Sequence, residues 1–444
     1  MSRTSLPARQ PTTASRRTFL AASGAVAGLA AVGRPSLARS AHAAGSDVIK
    51  IGLIGCGGRG SGAAANAMNA GPDVRLVAMA DLFAERAQDS LQRLKKMKPE
   101  QVQVDDAHVF SGFYGYREVL KSDVPVVLIA CTSHFHPMIL TEAIAAGKHV
   151  FCEKPHGIDV PGLKRSMAAA EEAKKKNLNL VSGLCWRYDE GVRETMRRIH
   201  EGQIGDVVAV QATRMGGPYI LRERKPEWTE LEYQFQNWYH FDWLAGSAPL
   251  QTLIHQADKA SWALGDVPPV KAWGLGGRQV CTEPKYGDLF DHHSIVYEYA
   301  NGARLYAFDR NIPGCYGEAS TVVIGTKGRA FVPRRPRIEG EKPWEWTRDR
   351  AAAVSMTDAE HRALFDAIRA GQTINNGHYM CLSSMLAILG EMVCDTGQEI
   401  TWEKAMSSTQ DFSLPEYNWQ AVSPVQLGPD GTYPAPLPGI TKFS

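Results

Sequence analysis

Gly55-Cys56-Gly57-Gly58-Arg59-Gly60, followed 21 residues later by Asp81, has the residue types and spacing of a phosphate cradle with a ribose-binding acid. Glycine at 55 permits a tight turn, glycine at 57 lets backbone approach a pyrophosphate, and glycine at 60 lets a helix pack closely on a strand. Gly58 and Arg59 share that loop, where the free N–H groups and positive dipole end of the following helix meet the phosphates. Asp81 is placed to accept hydrogen bonds from adenosine ribose hydroxyls, which favours NAD over NADP. Two further groups, Thr132-Ser133-His134-Phe135-His136 and Glu153-Lys154-Pro155, each end an apolar run. A partly buried lysine near a cationic nicotinamide has its pKa lowered and suits proton relay, and Lys154 is the candidate. His134 with His136, and Asp291-His292-His293, have spacings that metals use; without a third clustered ligand no metal is expected.

The elements that must hold these residues alternate between strand and helix. Residues 48–54 and 74–80 read as strands, 61–70 and 84–96 as helices, and 116–120 as a short helix. The run 124–131 is almost continuously apolar, as in a parallel strand buried on both faces. A helix over 138–146 closes at Gly147, and 149–152 is the next strand. In a doubly wound sheet ligands bind outside the carboxyl ends of the strands. Thr132, His136, Glu153 and Lys154 therefore fall where a dinucleotide lies. Beyond them, helices over 160–176 and 191–201 alternate with strands over 178–184, 207–212, 294–298, 304–308 and 321–324. Residues 331–351 read as a charged loop. Thr357-x-x-Glu360 reads as a capping box opening a helix that Gly371 closes. From Ser413 six prolines forbid any long regular element, so the tail either wraps over a domain or a neighbouring subunit, or hangs loose.

With Ala146-Gly147-Lys148-His149-Val150-Phe151-Cys152-Glu153-Lys154-Pro155, Trp186-Arg187-Tyr188 and His255-x-x-Asp258 added to the glycine loop, Asp81 and the 132–136 turn, the chain resembles the Gfo/Idh/MocA oxidoreductases. That superfamily holds glucose-fructose oxidoreductase and inositol dehydrogenase. Asp291-His292-His293 and Ala387-Ile388-Leu389-Gly390 resemble its secreted bacterial branch. The resemblance implies an α/β fold: an N-terminal Rossmann domain and a C-terminal α/β domain. The latter's open, mostly antiparallel sheet floors the substrate site and often mediates oligomerisation, so a homo-oligomer is expected. It implies that Lys154 binds the reacting hydroxyl and orients the cofactor, that His255 accepts the hydroxyl proton, and that Arg187 and Tyr188 lie beside the substrate. Asp258, one helical turn after His255, either holds that imidazole's tautomer or is a helix-surface acid. Trp238, in Trp238-Tyr239-His240-Phe241-Asp242-Trp243, either joins the core or stacks on a sugar ring. One position departs from the pattern: inositol dehydrogenase-like members carry an aspartate four residues before the histidine, and here Gln251 stands there. Glutamine cannot take a proton, so either His255 uses a solvent path or the chemistry is not simple polyol oxidation.

Charge distribution adds a location. The 49 basic and 47 acidic residues nearly cancel, which gives a nucleic-acid partner no support. Yet residues 1–43 hold six arginines and no acid, and removing them leaves a net charge of −4. Ser15-Arg16-Arg17-Thr18-Phe19-Leu20, an apolar run over 19–32 and Ala41-His42-Ala43 resemble a twin-arginine export signal, making the export machinery a partner and the periplasm or exterior the destination. No later stretch is expected to span a membrane. The expected divisions are signal 1–43, Rossmann domain 44–157, substrate and oligomerisation domain 158–412, and tail 413–444. The eight cysteines show no C-x-x-C pair and are expected to be structural thiols.

Export constrains the chemistry as well. Away from the cytoplasmic NAD pool, the cofactor is expected to travel tightly bound and to be restored in place. With the resemblance, three functions stand: a sugar or polyol oxidoreductase; a redox-neutral glycosidase working through a transient ketone, as the superfamily's NAD-dependent glycosidases do; or, encouraged only by Gln251, a non-catalytic sugar-binding protein with structural NAD.

Overall fold

Short runs of Val, Ile and Leu with no polar face suit strands covered on both sides, and they build the first sheet. It is six-stranded and parallel, in the order β3-β2-β1-β4-β5-β6. Its strands are β1 (Ile49–Ile54), β2 (Val74–Asp81), β3 (Val109–Ser111), β4 (Val126–Ile129), β5 (His149–Cys152) and β6 (Leu180–Ser182). This is the doubly wound order, with the switch point between β1 and β4. The computed structural model describes residues 48–444 except 334, 348 and 350–352. The export-signal expectation for 1–43 lies outside the described residues. The first sheet runs past the expected division at 157/158, because β6 pairs with β5 and closes its far edge.

Nine strands form the second sheet, in the order β14-β13-β12-β11-β7-β10-β9-β8-β15. They are β7 (Val207–Gly216), β8 (Lys271–Gly277), β9 (His292–Glu298), β10 (Arg304–Asn311), β11 (Glu318–Gly325), β12 (Gly328–Phe331), β13 (Arg337–Gly340), β14 (Trp344–Glu345) and β15 (Ile400–Thr401). All neighbours are antiparallel except β7 with β10. Strict alternation in β9 and β10 sends Ile295, Tyr297, Leu305 and Ala307 to one buried face. That face packs on helices Ile254–Ala263 and Gly377–Thr396. The other face carries Trp273, Leu275, Val296, Tyr306, Phe308 and Ile324, with Leu275 64% exposed.

Three expectations need correction here. Residues 331–351 are not all loop: β13 and β14 extend the sheet edge, where Pro and charged side chains are tolerated. Helix Met356–Arg369 opens not on Thr357 and Glu360 but on Ser355, whose hydroxyl accepts from the Asp358 N–H at 3.0 Å. Glu360 is wholly buried instead. Helix Gly377–Thr396 is long and apolar enough to cross a membrane, against expectation. It is a core helix: Met380, Leu386, Leu389 and Val393 are buried, and Gly390 lets it approach so closely that a Cβ there would collide with the Tyr297 hydroxyl.

Helix Met356–Arg369 returns to the first half, where Asp358 accepts from Asn66 and Asn69 and Leu364, Phe365 and Ile368 complete the core under helix Gly58–Asn69. The tail packs on its own chain, with Gln234 donating to the Val425 carbonyl at 2.7 Å and the Ser408 hydroxyl to that of Ser444 at 2.6 Å. All eight cysteines are free and six are buried, acting as small apolar side chains.

A group of carboxyls, Asp288 and Glu391 buried and Asp242 and Asp395 partly buried, lies beside helices Asp242–Ala245 and Gly377–Thr396. Burial raises Asp242 and Glu391 and, with repulsion from neighbouring carboxylates, pushes Asp288 up to about 7 and Asp395 up to about 8. In the unfolded chain such groups titrate near ~4. The folded state therefore holds extra protons between those limits. Its advantage is complete below about pH 4 and is lost as pH rises through about 7 to 8. The thermal midpoint is expected to fall between about pH 4 and pH 8, and Asp395→Asn, which cannot ionise, to flatten that fall. An equally steep fall in the variant would assign it to other groups.

Candidate active site

The cradle is built by close approaches that only glycine allows. Gly55 has φ +93°, and a side chain there would strike the Ala130 and Cys131 backbone at the end of β4. At Gly60 a side chain would strike the Gly55 carbonyl. Above Gly57 and Gly58, by contrast, an added Cβ meets nothing within 4 Å. Gly57 caps helix Gly58–Asn69 with no side chain over its N-terminus. That open, positive helix end is where a pyrophosphate fits. Asp81 closes the far side, its Oδ2 accepting from the Cys56 N–H at 2.7 Å and its Oδ1 from the Phe83 N–H at 3.0 Å. Each oxygen keeps capacity for a ribose hydroxyl.

Arg59 does not reach out alone. Its guanidinium donates to Glu153 Oε1 and, at 3.1 Å, to Glu360 Oε1. Glu360 arrives from helix Met356–Arg369, and burial, with Glu153 nearby, pushes its pKa well above the carboxylate range. The sequence offered Glu360 only as a cap. Arg86, Arg222 and Gln236 were also missed; they line the cavity near Asp81, with Arg86 donating to Gln236 at 3.0 Å. Arg222 lies in a stretch without periodicity, so no local signal could have found it.

Cradle, Asp81, Thr132, His136, Glu153, Lys154, Trp238, Gln251 and His255 line one cavity of about 630 Å³, large enough for a dinucleotide's reactive half and a small substrate. His136 ties two strand ends together. Burial lowers its pKa, and Nδ1 donates to the Pro155 carbonyl at 2.7 Å, while Nε2 lies 3.1 Å from the Cys131 carbonyl. Lys154 Nζ donates to the main-chain carbonyl of Gln251 at 2.7 Å, and burial lowers its pKa. Burial lowers His255 to about 3, so the imidazole is neutral, and its Nδ1 is buried without a partner. A neutral imidazole facing a cavity can accept a proton.

Gln251 lies in the wide turn Pro249–Leu253 that enters the His255 helix. Its carboxamide N–H groups donate to the Ala245 carbonyl and, at 3.2 Å, to the Ser133 hydroxyl. The side chain thus brackets the 132–136 turn to the second half of the chain, a task for two donors that no carboxylate could do. The aromatic run divides. Trp238 stacks on Tyr239 with centroids 3.8 Å apart, and both line the cavity, while Phe241 and Trp243 enter the core.

Asp258, Arg187 and Tyr188 are placed elsewhere. Asp258 is 1% exposed and accepts from Arg187 Nη2 at 2.8 Å and from the Ser383 hydroxyl at 2.9 Å. It is therefore neither a surface acid nor bonded to His255. Arg187 also binds Asp266 at 2.7 Å, and the Tyr188 hydroxyl donates to Asn376 at 3.0 Å. Both are committed to packing, and neither lines the cavity.

A doubly wound parallel sheet carrying this cradle, joined to a mostly antiparallel sheet whose accompanying loops and helices complete the cavity, defines a dinucleotide-dependent oxidoreductase. Sequence comparison gives the family. The profile described as oxidoreductase family, NAD-binding Rossmann fold, matches residues 49–180, and the C-terminal profile of the same family matches 192–331. The chain belongs to the Gfo/Idh/MocA family. It is 27% identical over 338 residues to inositol 2-dehydrogenase of Burkholderia cenocepacia, covering 73% of this chain and 87% of that one. It is 25% identical over 331 residues to the Salmonella typhimurium enzyme of the same name, with the same coverage. Among solved structures, levoglucosan dehydrogenase with NADH and levoglucosan superposes with a TM-score of 0.63 at 19% identity, over 80% of this chain and 99% of that one. Aldose-aldose oxidoreductase of Caulobacter crescentus, complexed with glycerol, gives 0.63 at 17% identity, over 80% and 99%. These likenesses confirm the fold.

Proposed function

We propose that the chain is an exported oxidoreductase acting on a CH–OH group of a sugar or polyol, with a tightly bound nicotinamide dinucleotide, NAD rather than NADP. The observation that carries this reading is one cavity holding a phosphate cradle and Asp81 at one end and Lys154 with neutral His255 at the other. The names of the relatives, inositol and levoglucosan dehydrogenases, support the substrate class. Gly57, Gly58 and the helix end hold the phosphates, Asp81 the ribose, and Thr132, His136 and Glu153 the walls. When bound, the nicotinamide supplies the hydride acceptor or donor. Lys154 holds the hydroxyl oxygen, His255 takes its proton, and the Trp238–Tyr239 stack offers an apolar face to a sugar ring. Export and tight binding rest on the twin-arginine motif and the need to restore the cofactor in place. The large apolar side chains on the outer face of the second sheet support a homo-oligomer, with a second copy covering Trp273, Leu275 and Phe308; a monomeric mass in light scattering would refute it.

The test uses protein as purified from its native export route. Denaturation is expected to release nicotinamide, read by absorbance. A panel of free sugars and polyols is expected to change the redox state of the bound nicotinamide. Release of no nicotinamide would defeat tight binding. Cleavage of aryl glycosides with solvent deuterium beside the cleaved bond would assign the site to redox-neutral cleavage instead. Binding of sugars without turnover would make it a binding protein.

A further inference from the structure

We propose that Tyr417 and Trp419, in the C-terminal tail, are positioning residues for the dinucleotide cavity, fixing its wall from behind; this rests on the cofactor reading above. The 132–136 turn lines the cavity through Thr132, Ser133, Phe135 and His136, but its remaining member, His134, points away. His134 Nδ1 donates to the Trp243 carbonyl at 2.8 Å, and Nε2 accepts from the Tyr417 hydroxyl at 2.6 Å. Burial lowers His134 to about 4, so the neutral ring has one donor and one acceptor, and each is matched. The turn is therefore tied on one side to the second half of the chain and on the other to the tail.

Trp419 does the same for the adjoining part of that wall, where Phe113 packs on Phe135 at 6.4 Å. Its ring lies 4.8 Å from Phe113 and 5.7 Å from Phe83, centroid to centroid, and both phenylalanines line the cavity. Tyr417 packs on Phe135 at 5.1 Å and on Phe113 at 6.2 Å, closing the ring of contacts. Phe83 sits two residues beyond Asp81 and gives its N–H to that carboxylate at 3.0 Å. Displacing Phe83 therefore displaces the ribose-binding acid.

The segment is held on both flanks. The Phe412 N–H donates to Asp159 at 3.1 Å, and beyond it the Ser423 hydroxyl donates to the Val425 carbonyl at 2.8 Å while Gln234 donates to the same carbonyl at 2.7 Å. Pro415 and Pro424 keep it out of any helix or sheet, so it docks through side chains. A tail serving only to cover core would place its aromatics anywhere apolar. These two lie directly behind three residues of one cavity wall and its ribose-binding end.

The test follows the dissociation of reduced nicotinamide dinucleotide, by its own fluorescence, from full-length protein chased with excess oxidised dinucleotide. Trp419→Ala is expected to speed release about tenfold, the equivalent of ~1.4 kcal/mol. Tyr417→Phe, which keeps the ring and removes the hydroxyl's bonds to His134 and to the Leu414 N–H, is expected to give a smaller acceleration. Trp419→Phe is expected to restore slow release. Ser408→Ala, which frees the end of the tail and changes no residue that lines the cavity, is expected to release at the wild-type rate. Release within twofold of wild type in both Trp419→Ala and Tyr417→Phe would overturn the proposal, as would equal acceleration in Ser408→Ala. If wild type holds no dinucleotide at all, the cofactor reading itself falls, and the proposal with it.

Discussion

In Lys154→Met, turnover of the sugar or polyol substrate is expected to fall by roughly a hundred- to a thousand-fold, the usual worth of a donor positioned on a reacting oxygen. The bound dinucleotide is expected to remain. Among the described residues, Lys154 is the one lysine that lines the cavity, its amine is desolvated, and its bond to the Gln251 carbonyl fixes where that amine sits. Methionine keeps the length and apolar stem and removes only the donor. His255→Gln is the companion variant. It keeps a hydrogen-bonding group but cannot take a proton, and because His255 titrates near 3, wild-type activity is expected to show no acid limb near the ordinary histidine pKa. Full turnover in Lys154→Met would remove this residue from the chemistry and with it the shared site.

The second large effect concerns stability. Arg187→Met is expected to destabilise the fold by roughly 3–5 kcal/mol, read from urea or thermal unfolding. Arg187 and Asp258 are 7% and 1% exposed, so losing the guanidinium leaves a carboxylate stranded in a low-dielectric interior with only Ser383 to solvate it. The double variant Arg187→Met with Asp258→Leu is expected to regain most of the loss, because replacing a buried pair by apolar groups is often neutral. If Arg187→Met instead stays as stable as wild type and weakens substrate binding, these residues belong to the substrate site after all.

That contrast shows what a sequence can and cannot disclose. The phosphate cradle was legible because its spacing is imposed by backbone geometry: Gly55 needs a positive φ, and Gly60 must pass beside the Gly55 carbonyl. Lys154 and the 132–136 turn were legible because strand ends point one way in a parallel sheet. The Arg187–Asp258 pair was not, because an arginine 71 positions from its aspartate looks the same whether it meets a substrate or a buried acid. Glu360 was misread for a similar reason: a glutamate near a helix start suggests a cap, and only the return of that helix to the first half puts it against Arg59. β13 and β14 escaped notice because an edge strand needs little apolar pattern. The tail's prolines announced irregularity correctly but carried no address.

Helix Met356–Arg369 has a consequence for anyone who would treat the two halves as exchangeable parts. The dinucleotide half is not a continuous stretch of chain. A fragment ending after β6 would lack Leu364, Phe365 and Ile368, exposing the apolar side of helix Gly58–Asn69, and would leave Arg59 without Glu360. A chimera that borrows the cofactor half of a relative must therefore borrow this distant helix with it. Changes of cofactor preference and changes around residue 360 are, in this protein, the same engineering problem.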